Sequence, residues 1–140
     1  MIGGHYIKSW SSTQKTIALS SGEAELTAAV KSSSETIGSI QLATDWGLEL
    51  EGEIYVDSTA ALGVVARKGA GKLRHVRVGM LWIQERAETG ELRYKKVRGT
   101  TNPADALTKS LSASDLKRYV EMLGVELKDG RANMSLEITI

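Results

Sequence analysis

Ile54-Tyr55-Val56-Asp57-Ser58-Thr59-Ala60-Ala61 passes from three strand-forming residues into an acid and then directly into a helix-compatible segment. β-Branched and aromatic residues fit a pleated, half-buried surface, so Glu53 to Asp57 reads as a strand. In open α/β sheets, ligands gather outside the carboxyl ends of strands. An acid held rigidly there suits a metal or a polar substrate. The competing reading is that Asp57 or Ser58 only caps the helix Thr59 to Arg67.

The flanking segments continue the strand–helix pattern. Ser20-Ser21-Gly22-Glu23 has capping-box spacing. It opens a predicted helix reaching about Trp46, before Gly47, with Leu26, Ala29, Val30, Ser33, Ile37, Ile40 and Ala43 or Thr44 on one stripe. Val76 to Thr89 reads as another helix, striped by Val76, Met80, Ile83 and Ala87 and ended by Gly90. Leu92 to Val97 alternates as a strand. Asn102-Pro103 has the pattern of an N-cap with proline in the first helical position, and helices are expected over Ala104 to Leu107 and Ser112 to Leu123. Tyr6 to Ser11 also alternates, and with Thr16 to Leu19 it suggests a hairpin. Met134 to Ile140 is a further alternating run. Lys68-Gly69-Ala70-Gly71-Lys72 is glycine-rich, but it lacks the spacing and the strand-to-helix context of a nucleotide loop.

The chain has 140 residues, a length that suits one α/β domain. Charged residues make up 25% and hydrophobic residues 41%, as in an ordinary globular protein. Cysteine is absent, which excludes disulfides and thiolate metal sites. No apolar run approaches the ~20 residues of a membrane span and no signal peptide is visible, so an intracellular, cytoplasmic location without membrane contact is expected. The net charge of +1 conceals a basic block: ten Lys or Arg against three Glu lie between Arg67 and Arg98. Such a block suits a polyanion through counterion release, or is simply a solvated face.

Glu25, Asp57 and Asp105 fall on three different predicted elements. A hard cation such as Mg²⁺ takes oxygen ligands, usually one or two carboxylates. Two such ions stabilise the attacking and leaving oxygens of phosphodiester cleavage. Asp105 also suits the dipole of its helix, and Glu23 is explained as a capping-box partner. His5 and His75 are too few for a histidine-rich metal site.

Ser9-Trp10-Ser11-Ser12, Ala18-Leu19-Ser20-Ser21-Gly22-Glu23-Ala24-Glu25, Asp57-Ser58-Thr59-Ala60-Ala61, Arg74-His75-Val76 and Asn102-Pro103-Ala104-Asp105-Ala106-Leu107-Thr108-Lys109 stand in a set order. Together they resemble the ribonuclease H domain of copia-type retrotransposon polyproteins, across residues 3 to 123. The resemblance implies a ribonuclease H-like mixed sheet of five strands flanked by helices. It implies cleavage of the RNA strand of an RNA–DNA hybrid, with Mg²⁺ or Mn²⁺ held by four acids. It assigns three of those acids to Glu25, Asp57 and Asp105. It makes Lys72, Arg74, His75, Arg77, Lys95, Lys96 and Arg98 the candidate contacts to the hybrid, which is read by shape, phosphate and 2′-hydroxyl.

The chain departs from that pattern in three places. Ser58 stands where the family usually has Asn, and Arg77 where it often has an acid. The first two family strands, including the first catalytic Asp, have no counterpart before Ile7, so the domain reads as amino-terminally truncated. Its single domain, 1–140, then comprises a family-like core (1–123) and a tail (124–140). The tail run Met134 to Ile140 is expected to fill part of the vacated sheet, within one chain or between two, giving a homodimer by strand exchange with Glu137 as a candidate fourth acid. Two other functions fit the residues: a retroelement remnant that binds nucleic acid without cleaving it, and a structural or assembly module whose acids are helix caps. Within a retroelement, the location would be its particle.

Overall fold

In a computed structural model the described residues are 1–14, 17, 18, 20–69 and 78–126. The chain divides into two compact units, Ser12–Thr100 and a second made of Met1–Ser11 with Thr101–Ile140. The first carries the sheet, and the described residues of the second carry a 3₁₀ turn and a helix.

In the Ser12–Thr100 unit, α1 runs from Ser21 to Asp45. Ser20 begins it as the capping box predicts, its Oγ accepting from the Glu23 N–H at 3.2 Å. Gly47, at φ +77°, ends it in the left-handed region that a side chain disfavours. Strand β1 (Gly52–Val56) follows, then α2 (Thr59–Val65), α3 (Val78–Glu88) and β2 (Leu92–Lys96). The two strands pair in parallel, Gly52 opposite Leu92 through Val56 opposite Lys96. A parallel pair cannot be joined by a tight turn, so α2 and α3 form its crossover.

The core gathers from α1, α2, α3 and β1. Leu26 and Ala29 of α1 meet Ile54 and Val56 of β1, Ala61 and Val65 of α2, and Met80 and Ile83 of α3. Leu26 and Ile83 are fully buried. Each such burial stabilises by roughly 2 kcal/mol. The predicted α1 stripe is the buried one: Leu26, Ala29, Ser33 and Ala43 face inward. Gln84, also buried, spans α3 and the end of α2. Its Nε2 donates to the Val64 carbonyl at 2.7 Å and the Gly69 carbonyl at 3.1 Å, and its Oε1 accepts from the Gly69 N–H.

In the other unit, Asn102 caps a 3₁₀ turn over Pro103–Leu107, and Ser112 caps α4 (Ala113–Met122). Tyr119 is buried. The helix expected at 104–107 is thus the tighter form, consistent with its single short turn.

Several expectations need correction. Tyr6 to Ser11 is not a strand: no described residue forms a ladder with it, and Ile7 is 61% exposed. Alternation alone does not make a strand without a neighbour to hydrogen-bond. The described sheet has two strands, where the resemblance implies more, and the strand expected to end at Asp57 ends at Val56. Part of the Thr16 to Leu19 run, the start of the helix expected from Val76, and the tail run Met134 to Ile140 lie outside the described residues.

Candidate metal and nucleic-acid site

Asp57 is the first residue past the carboxyl end of β1 and is half-buried. Strand pairing reaches the residue before it, since the Val97 N–H donates to the Val56 carbonyl at 3.1 Å. Ser58 caps α2, its Oγ accepting from the Ala61 N–H at 3.2 Å. Of the two residues the sequence offers as the cap of α2, Ser58 takes that place.

The first turns of α1 and α2 lie against each other. A Cβ added to Gly22 would come 3.2 Å from the Ala60 Cβ. With only a hydrogen there, the two helix starts approach without a shift of either. Glu25 stands one helical turn beyond Gly22, a surface neighbour at i+3, and Asp57 three residues before Ala60. The two acids are therefore close in sequence to the point where the helix starts meet. Glu25 is exposed. Two carboxylates would match, in chemistry and number, what Mg²⁺ or Mn²⁺ usually takes from protein.

Asp105 belongs to the other unit, in the first turn of its 3₁₀ segment. It is buried, and its Oδ2 accepts from Lys109 Nζ at 2.8 Å. Among the described residues, neither unit by itself gathers three His, Asp or Glu able to hold a metal.

The basic candidates separate by face. Lys95 points to the open face of the sheet, where its Nζ bonds Glu53 Oε1 at 2.5 Å and lies 5.9 Å from the Tyr55 ring centre. Arg93 pairs there with Glu51 and, at 3.5 Å, with Glu53. The Lys95 bond, then the Tyr55 hydroxyl, hold the Glu53 carboxyl below its ordinary value. Lys96 turns to the carboxyl end of β1: its Nζ donates to the Asp57 carbonyl and to Thr59 Oγ1, the latter at 3.0 Å. Arg98 is exposed in the following segment. Lys72, Arg74, His75, Arg77 and Glu137 lie outside the described residues.

Neither the Lys96 contacts nor the Gly22–Ala60 approach is foreseen from the sequence. A glycine in one helix start and an alanine in the next are the available signal, because small residues permit close helix contact.

No protein-family model and no solved structure matches the chain. The retrovirus-related Pol polyprotein from transposon TNT 1-94 of Nicotiana tabacum is 32% identical over 120 residues, 84% of this chain and 9% of that protein. Those from transposons RE1 and RE2 of Arabidopsis thaliana are 32% identical over 126 residues, 87% of this chain and 9% of each. Homologues over most of the chain are therefore transposon Pol polyproteins, and the chain spans about 9% of their length.

Proposed function

Proceeding from this homology to one segment of retrovirus-related transposon Pol polyproteins, we propose that the chain is a copia-type ribonuclease H-like domain that cleaves the RNA strand of RNA–DNA hybrids. The observation that carries the proposal is the meeting of the α1 and α2 starts at Gly22 and Ala60, three residues in sequence from Glu25 and from Asp57. Those two carboxylates are assigned to Mg²⁺ or Mn²⁺, with Asp105 as the third acid. A bound cation of this kind supplies charge stabilisation for phosphodiester cleavage. The chain's own contribution is rigidity: β1 and the Ser58 cap hold Asp57, and the long helix α1 holds Glu25. Lys95 and Arg98 are proposed to contact the hybrid backbone. Among the described residues β1 has a strand partner on one edge only, which supports the proposed strand-exchanged homodimer.

A labelled hybrid incubated with the chain and Mg²⁺, with an EDTA control, tests this reading. Metal-dependent cleavage that Asp57→Asn abolishes is expected. The substitution keeps the Ser58 cap. The thermal midpoint should therefore stay within about 4 °C of wild type. Cleavage retained by Asp57→Asn overturns the metal assignment. A gel shift without cleavage supports the remnant that binds nucleic acid. No shift at low salt supports an assembly module.

A further inference from the structure

We infer that Lys96 is a positioning residue for Asp57, fixing the β1–α2 junction so that the carboxylate is aimed for a divalent cation. The inference rests on the metal reading of Asp57. Lys96 closes β2, and its ammonium crosses to β1's carboxyl end. There it donates to the Asp57 carbonyl and to Thr59 Oγ1. These two acceptors straddle Ser58, which the α2 cap already holds, and Val56 is held by the Val97 N–H. Every residue from Val56 to Thr59 is thereby tied, two of them by the same ammonium.

The chemistry explains why lysine stands there. Both acceptors lie on one junction, and the tie needs a long stem with several donors. The adjacent Lys95 bonds Glu53 on the opposite face, so two neighbouring lysines have separate tasks. A phosphate contact by Lys96 would require its ammonium to leave the Asp57 carbonyl. Groups that orient a metal ligand typically change affinity about 10- to 100-fold when removed.

The sign of the effect separates positioning from plain electrostatics. A cation beside a metal site repels a divalent ion, so its removal alone tightens binding. Removal of a positioning contact weakens it.

The test is Mn²⁺ titration of the full chain, without nucleic acid, read by loss of the free-ion electron paramagnetic resonance signal. Wild type is compared with Lys96→Met, Lys96→Arg, Thr59→Val and Asp57→Asn, with thermal midpoints measured alongside. Lys96→Met should weaken Mn²⁺ binding about tenfold or more at an unchanged midpoint. Lys96→Arg, which keeps a charged multiple donor, should restore most of it, and Thr59→Val should fall between. Unchanged or tighter binding by Lys96→Met overturns the inference. If Lys96→Met does not fold, wild-type binding by Thr59→Val overturns it, and weakened binding supports it. Loss of binding in Asp57→Asn with none in Lys96→Met rejects the Lys96 role alone. Mn²⁺ binding that survives Asp57→Asn rejects the metal reading and this inference with it.

Discussion

The hydroxyls of Ser33 and Tyr94 meet at 2.8 Å, joining the middle of α1 to the middle of β2. Ser33 Oγ also donates to the Ala29 carbonyl at 2.7 Å. Its single proton is thus committed, and Tyr94 is the donor of the pair. The two truncations should therefore differ. Tyr94→Phe leaves Ser33 bonded to Ala29 and should cost about 0.5–1 kcal/mol; Ser33→Ala leaves the half-buried phenol without its acceptor and should cost about 1–3 kcal/mol. Urea unfolding of both variants checks the order. Burial raises the Tyr94 pKa above its ordinary value, despite the opposing pull of Ser33. The folded state then holds the phenolic proton more tightly than the unfolded state. This contribution is complete below the ordinary tyrosine range and is lost as pH rises through the raised value. Tyr94→Phe should lack that alkaline component.

Gly52→Ala should destabilise through overpacking. The added Cβ would overlap Leu92 Cδ2 and sit 3.1 Å from Ile40 Cδ1 and Thr36 Cγ2. Leu92 is fully buried and has little room to retreat. A loss of about 1–3 kcal/mol is expected. Leu92→Val in the same chain should recover part of it, so a double-mutant cycle should give a coupling of opposite sign to the single losses. Additive effects would place Gly52 outside tight contact with Leu92.

Replacing Lys95 and Arg98 together with glutamine should weaken hybrid binding and reduce its log–log salt slope by about one unit per lost phosphate contact. Binding isotherms at several salt concentrations read both quantities. An unchanged slope would assign the open sheet face to something other than the hybrid. Lys95 is exposed but paired with Glu53, so Lys95→Gln also releases an acid that repels phosphate. Glu53→Gln alone should therefore tighten binding.

Removing residues 131–140 tests the strand-exchanged homodimer. The full chain should sediment as a dimer, and the shortened chain as a monomer or an aggregate. A shortened chain of unchanged mass, stability and activity would exclude both the strand filling and a role for Glu137.

What could be read from the sequence lay within a turn or two of the residues that encode it. Ser20 with Glu23, Ser58 before α2, and Asn102 before Pro103 each act on backbone groups two or three residues away, and each is found where its pattern predicts. The α1 stripe was legible because its period repeats over a long helix. Tyr6 to Ser11 misled because alternation specifies a strand's faces but supplies no neighbour. Lys96 was legible only as charge: its contact with Asp57 crosses the whole α2–α3 excursion. The same holds for Gly22 and Ala60, whose approach depends on how two helices are brought together.

The parallel pairing of β1 with β2 has a kinetic consequence. Its ladder closes only after the chain has travelled from Asp57 through α2 and α3 to Glu91, a loop whose closure entropy must be met before the strands reward it. Helix α1 and its cap involve short-range contacts and need not wait. Glu25 is thus carried on a segment able to form early, whereas the Lys96 tie on Asp57 awaits strand docking. In refolding experiments, helical signal should precede divalent-ion affinity, and conditions that slow loop closure should widen the interval between them.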